Sequence, residues 1–277
     1  MRSCDDDREG GLLPLERQWL ERYVDTCDAW GFRANPGTVD DYVSLVAAAI
    51  RDRVACRILS HNLHSLHEYF RNPALKRCFS GSVALIDGMP VIGLLKLAGH
   101  DVERSQRVTY VDFVWPLLER ARDEGWRVFV VGQAPAVLDA ALGEIRRRLP
   151  DLSIAGRDGY FDKTPFAAES LAVIDRINRF GTDLLLVGMG TPIQEQWVYQ
   201  HRMLFKVPAI LTAGACMEYV AGVVRTPPRW MGRCGLEWSF RLAENPRRFA
   251  YRYLVEPWVL GAYLARHSLS RSGGETV

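Results

Sequence analysis

Apolar and polar positions follow two different periods along this chain. Short runs rich in aliphatic residues occur at Cys56–Ser60, Val83–Ile86, Arg127–Val131, Leu184–Gly188 and Ala209–Thr212. Two of them, Val128–Val131 and Leu184–Val187, are apolar without a break, as strands buried on both faces of a parallel sheet are. Between the runs, Leu63–Arg71, Val91–Ala98, Val111–Glu124, Ala136–Leu149, Phe166–Phe180 and Gln194–Leu204 repeat apolar residues at three- and four-residue spacing, the period of a half-buried helix. The alternation predicts an α/β fold, a Rossmann-like parallel sheet with helices on both faces. Ahead of it, Leu12–Trp30 and Val39–Ala49 predict two added helices separated by the Asn35-Pro36-Gly37 turn. After Gly222 the alternation stops, and Leu236–Glu244 and Arg247–His267 predict helices of a different texture. The expected organisation is an N-terminal helical extension (1–50), a Rossmann-like catalytic core (51–222) and a C-terminal helical appendage (223–277) whose last ten residues fray.

Composition narrows the class. A chain of 277 residues with 48% hydrophobic and 25% charged residues is neither disordered nor fibrous. A net charge of +2 is too small to point to nucleic acid. The distribution is more informative, because Arg225–Arg271 holds nine arginines, no lysine and three glutamates, a net of +6. Trp230, Trp238, Phe249, Tyr251, Tyr253 and Trp258 interleave with those arginines. Arginine grips phosphate bidentately, and aromatic residues beside basic ones suit the headgroup level of an anionic membrane. The same segment also reads as a solvated basic helix whose aromatics pack inward. Cys4, Cys27, Cys56, Cys78, Cys216 and Cys234 show no CxxC spacing and are expected to be free thiols of a reducing cytosol. The N-terminus, with Asp5, Asp6 and Asp7, is not a signal peptide, and no apolar run approaches the roughly 18 residues of a spanning helix. The expected location is cytoplasmic, with attachment to a membrane only from its surface.

In an open parallel sheet, ligands bind beyond the carboxyl ends of the strands. Asp87 follows Val83–Ile86 and precedes Gly88 and Pro90. A carboxylate there suits a general base on a sugar hydroxyl, but the residue context before a first-turn proline favours a helix N-cap. The glycine turns at Gly132 and at Gly188–Gly190 each open onto a helix, a place for a diphosphate on backbone N–H groups or for tight packing. Neither is a full GxGxxG or a P-loop. Gln194 and Glu195 sit where they can meet a uracil or ribose, while Glu195 also suits the helix dipole and Trp197 the core. His61, His64 and His67 fall on one helical face, but no carboxylate completes a metal site, and no DxD-type motif follows a strand. No cofactor is expected.

The order of motifs resembles the WecG/TagA/CpsF glycosyltransferases, glycosyltransferase family 26. Asn62 matches the asparagine after the first strand, and Asp87-Gly88-Met89-Pro90 the "DG-x-P" segment. Gln106-Arg107-Val108-Thr109 with Asp112-Phe113 is similar to "ERVTGxD", Gly132-Gln133-Ala134-Pro135 to "GGxP", and Gly159-Tyr160-Phe161 to "GYF". Gly190 to Trp197 matches "GxPxQExW". The most specific stretch runs from Ala221-Gly222 through Arg225-Thr226-Pro227-Pro228-Arg229-Trp230-Met231, Gly235-Leu236-Glu237-Trp238 and Arg241-Leu242 to Pro246-Arg247-Arg248. Tyr110 departs from the usual Gly, Glu218 from Asp and Asn245 from Glu.

The resemblance implies a metal-independent, inverting transferase. It would move a sugar from a UDP-sugar donor to a polyprenyl-diphosphate-linked acceptor in exopolysaccharide, teichoic acid or common-antigen assembly. Asp87 takes the place of the base. The appendage would close over the site and bring it to the anionic inner face of the cytoplasmic membrane. With the residues above, Asn62, Gly88, Thr109, Asp112, Gly132, Gly190, Gln194, Glu195, Arg225, Arg241, Arg247 and Arg248 form the expected substrate-binding set. A homo-oligomer is left open. Two rivals stand beside this reading. One is a nicotinamide-dependent oxidoreductase on the same sheet, and the other is a non-enzymatic membrane-binding module that would explain the tail alone.

Overall fold

A computed structural model describes residues 18–226, Met231 and residues 237–272. The chain forms a hairpin of β1 (Cys27–Ala29) and β2 (Phe32–Ala34), then α1 (Val39–Asp52), β3 (Cys56–His61), α2 (Leu63–Arg71), α3 (Pro73–Phe79), β4 (Val83–Ile86) and α4 (Met89–Leu97). There follow α5 (Tyr110–Asp123), β5 (Val128–Gly132), α6 (Pro135–Arg148), β6 (Ile154–Arg157), α7 (Ala168–Phe180), β7 (Leu184–Gly188), α8 (Ile193–Gln200), β8 (Ala209–Thr212) and α9 (Cys216–Val220). Among the described residues the chain ends with α10 (Glu237–Glu244), α11 (Pro246–Leu254) and α12 (Glu256–Ser272). Six strands make one wholly parallel sheet in the order β4-β3-β8-β7-β5-β6.

Successive strand residues face opposite ways, so the continuous apolar runs supply both layers. On one face Ile58, Leu85, Val128, Val130, Leu184, Leu186 and Leu211 pack against α1, α5, α6 and α9. On the other, Leu59, Ala84 and Ile86 meet α2, α3 and α4, while Phe129, Val131, Leu185, Val187 and Ile210 meet α7 and α8. From β3 the chain runs outward to β4, whereas β5 to β8 lie on the other side of β3. The carboxyl ends around β3 and β8 are therefore where a crevice is expected.

The sheet and its helices follow the predicted pattern, and the differences have local causes. The helix expected over Leu12–Trp30 is helical only at 18–20 among the described residues, and its end is the hairpin. Trp30 and Gly31 both take positive φ, 52° and 83°, as the two-residue turn of a twisted hairpin needs. Asn35 does not simply turn the chain. Its N–H donates to the Ala84 carbonyl at 2.8 Å and its side-chain oxygen accepts from the Ala84 N–H at 3.0 Å, which ties the hairpin to β4. Strand β6 was missed because it is a short edge strand with only Ile154 buried and a glycine inside; α3 and α9 are short and had no clear period. The helix expected over Arg247–His267 breaks at Val255 into α11 and α12. Pro257 has no N–H to donate to the carbonyl four residues earlier. Helix α12 also puts Leu260 and Leu264 into the core cluster of α2, α3 and α4. Among the described residues no helix is long and apolar enough to cross a membrane.

Candidate active site

The site begins at the adjacent ends of β3 and β4. Asn62 is the N-cap of α2, its side-chain oxygen accepting from the Ser65 N–H at 3.0 Å while the Ser65 hydroxyl accepts from its backbone N–H at 2.8 Å. The Asn62 amide then donates to Asp87 Oδ2 at 3.2 Å. Asp87 does not cap α4. Gly88 occupies the N-cap position and no side chain bonds there. The carboxylate is left half-buried and turned to the cleft, anchored from one side.

The ends of β5, β7 and β8 are stitched to one another. A Cβ on Gly132 would lie 2.2 Å from the Gly188 carbonyl oxygen. Gln133 donates its N–H to the Gly188 carbonyl at 3.1 Å and its side-chain amide to the Gly214 carbonyl at 2.7 Å. Gln194 accepts on one oxygen from the Gly190 and Gly214 N–H groups, both at 3.2 Å, and donates to Glu195 at 2.7 Å. Of the glycine-turn amides that suited a diphosphate in the sequence, that of Gly190 is thus engaged by a side chain of the chain itself. Glu195 lies fully buried beneath this loop, and burial raises its pKa against the hydrogen bonds from Gln194 and Thr191.

The C-terminal helices complete the wall. Arg107, just before α5, pairs with Glu237 of α10 through two contacts at 3.0 and 3.3 Å. Arg252 of α11 donates to the Asn62 side-chain oxygen at 3.3 Å. Glu256, at the start of α12 and almost fully buried, meets His64 Nδ1 with both oxygens at 2.9 Å. The Arg241 guanidinium sits 5.6 Å from the Tyr219 ring centroid, and its buried Nε has no hydrogen-bond partner among the described residues. Burial opposes the Arg241 charge, but Tyr219, Asp87, Tyr253 and Glu237 outweigh it and raise the pKa. Burial lowers the pKa of Arg252, and the neighbouring Arg241 charge lowers it further. Two guanidinium groups therefore share the space next to Asp87, an arrangement that an anion between them would relieve.

A cleft of about 330 Å³ lies between these walls. Asn62, Asp87, Thr109, Tyr110, Gly190 and Gln194 line it from the sheet side; Arg241, Phe249, Tyr251, Arg252 and Glu256 line it from the C-terminal helices. A model of the glycosyl transferase WecG/TagA/CpsF family matches residues 27–274, nearly the whole chain. The chain belongs to the WecG/TagA/CpsF glycosyltransferase family. Its relatives include an N-acetylglucosaminyldiphosphoundecaprenol N-acetyl-beta-D-mannosaminyltransferase of Bacillus spizizenii, 29% identical over 194 residues, 69% of this chain and 72% of that protein. Proteins of the same name in Bacillus subtilis and Staphylococcus aureus are each 29% identical over 182 and 158 residues. These alignments cover 65% and 56% of this chain, and 68% and 60% of theirs.

For this WecG/TagA/CpsF protein the structure sorts the expected residues. Asn62, Asp87, Thr109, Gly190, Gln194 and Arg241 reach the cleft. Asp112 stands behind Thr109, whose hydroxyl donates to its carboxylate at 2.8 Å. Gly88 lies against Asn62, and Gly132 serves the packing of strand ends, the alternative its turn also suited. Arg225 and Arg247 are exposed and outside the lining. The side chain of Arg248, and all of Arg229, Trp230 and Arg233, lie outside the described residues. The three histidines diverge, because β3 runs through His61: it stacks on Phe79 at 4.1 Å, His64 meets Glu256, and His67 is buried beside Arg71. Trp197 is core, 1% exposed. The sequence did not single out Tyr219 or Glu256 as site groups, and weighed His64 only as a metal ligand. Glu256 had one signal, an acid inside a strongly basic stretch.

Proposed function

We propose that the chain moves a sugar from a UDP-sugar to a hydroxyl of a saccharide carried on polyprenyl diphosphate, with inversion and without a metal ion, in bacterial cell-surface polysaccharide assembly. The observation that carries this reading is Asp87, a carboxylate freed from capping, held by Asn62 and flanked by Arg241 and Arg252. Asp87 takes the proton from the acceptor hydroxyl as that oxygen attacks the anomeric carbon. The bond from that carbon to the UDP oxygen breaks, and the charge collects on the leaving diphosphate. Arg241, whose Nε has no partner among the described residues, and Arg252 are placed to hold that charge. Relatives named for a diphosphoundecaprenol acceptor support the lipid-linked substrate.

The second half of the reading is attachment to the inner face of the cytoplasmic membrane. Tyr251, Leu254, Val255 and Trp258 are exposed around the α11–α12 break, Trp258 by 80%. Apolar and aromatic side chains beside arginines suit an anionic lipid surface. Because Leu260 and Leu264 belong to the core, substitution tests this better than truncation. Leu254→Glu with Trp258→Glu should abolish sedimentation with vesicles containing anionic lipid and leave the melting temperature unchanged. Sedimentation equal to wild type would refute the surface assignment. For the transfer itself, UDP and not NAD should raise the melting temperature, and a polyprenyl-diphosphate-linked monosaccharide should be extended from a UDP-sugar. A shift by NAD alone would favour an oxidoreductase.

A further inference from the structure

The floor of the cleft carries a group that neither the base nor the arginines use. Tyr110 opens α5 with 9% of its surface exposed, its ring against Phe113 with centroids 5.9 Å apart. Its hydroxyl is buried and has no hydrogen-bond partner among the described residues. Burial, then the Cys216 thiol and the Asp87 and Glu195 carboxylates, push its pKa well above the ordinary value. The group therefore stays protonated, able to donate. Cys216, Asp87 and Glu195 follow the ends of β8, β4 and β7, so the phenol lies where three strand ends converge beneath the cleft. Of the polar side chains that line the cleft, Thr109 is engaged with Asp112, Gln194 with Gly190 and Gly214, and Asn62 with Ser65 and Asp87, while deeper in the floor Glu195 Oε2 and Thr212 Oγ1 are, like the phenol, without a partner among the described residues. A buried hydroxyl without a partner is a costly exception. The cleft is the direction from which a partner can arrive.

We propose that Tyr110 selects the donor sugar: its hydroxyl donates to a hydroxyl oxygen of the bound nucleotide sugar, and its ring fills the floor, so that an unsubstituted hexose is preferred to an N-acetylhexosamine. This rests on the transfer reading above. With the sugar held against Tyr110 as proposed, an acetamido group on the carbon beside that contact needs room that the ring occupies. The glycine of the family's motif would leave that space open.

The test compares initial rates of wild type, Tyr110→Phe and Tyr110→Gly with UDP-glucose and UDP-galactose against UDP-N-acetylmannosamine and UDP-N-acetylglucosamine. The acceptor is polyprenyl-diphosphate-linked N-acetylglucosamine, and UDP affinity by calorimetry reports an intact site. Wild type should prefer a hexose donor. Tyr110→Phe should lower kcat/KM for it about 10- to 100-fold with UDP affinity unchanged. Tyr110→Gly should raise the rate with an N-acetyl donor relative to the hexose by about 10-fold. A wild-type preference for either N-acetyl donor, or a Tyr110→Phe variant as active as wild type, overturns the inference while leaving sugar transfer intact. Refusal of every UDP-sugar by wild type overturns the transfer reading as well.

Discussion

Gly132→Ala discriminates between the two uses a glycine turn can have at a strand end. The φ of Gly132 is 136°, a conformation that side-chain-bearing residues rarely adopt. An added Cβ would stand 2.2, 2.5 and 2.9 Å from the oxygen, carbon and Cα of Gly188. All three are backbone atoms of the neighbouring strand, and Gln133 is bonded to the same carbonyl, so no side-chain rotation relieves the clash. Ordinary contact at 3.4 Å requires the strand ends to part by about 1.2 Å. Overpacking of this kind costs about 1–3 kcal/mol, and the strained backbone adds about 1–3 kcal/mol. Each kcal/mol moves the melting temperature of a chain this size by roughly 2–4 °C, so a fall of roughly 5–20 °C is expected in a calorimetric or circular-dichroism melt. A melt within about 2 °C of wild type, with a raised KM for the UDP-sugar, would refute the packing role and make Gly132 a ligand-cradling turn.

Three other outcomes follow from named contacts. His61 is fully buried, which lowers its pKa from 6.5 to about 3 and keeps it neutral when folded. Its penalty is absent above pH 6.5 and grows as pH falls toward 3, by up to about 1.4 kcal/mol per unit, because only the unfolded chain takes the proton. His61→Phe should therefore lose about 2 kcal/mol less than wild type between pH 6.5 and 5 in urea denaturation, and an identical pH slope would contradict this. His64→Ala removes the partner of a carboxylate that is 4% exposed, so trypsin should cut within α12 several-fold faster, whereas an unchanged cutting rate would mean the pair holds nothing. The Cys78 and Cys216 thiols are pushed up to about 12 by burial, so both should stay unmodified by iodoacetamide at pH 8 in the folded protein. Modification of Cys216 without unfolding would show that the cleft floor opens, and of Cys78 that the core beside α3 does.

Much of the frame was legible because its signals are local. Strands β4, β7 and β8 have the bounds that their apolar runs give, each closed by a polar or glycine residue. The hairpin was hidden for an equally local reason: a tryptophan occupies a left-handed turn position where glycine or asparagine would announce it. The site divides along the same line. Asp87 was visible as a residue, but its two roles use the same sequence context, and only the position of Gly88 as the cap separates them. The histidines showed a helical spacing whose face never forms, because His61 belongs to a strand. Arg252 and Glu256 reach Asn62 and His64 across about 190 residues, and no short-range pattern records such a contact. The pairing of Arg107 with Glu237 joins two motifs 130 residues apart in the sequence.

The most direct test of the account is Asp87→Asn. The substitution keeps the volume and a partner for Asn62, and removes the carboxylate charge and with it the ability to take a proton. Turnover of a UDP-sugar with a polyprenyl-diphosphate-linked acceptor should fall about 10²–10⁴-fold, with the melting temperature unchanged and UDP bound no more weakly than by wild type. A folded Asp87→Asn protein that transfers sugar at close to the wild-type rate would contradict the account.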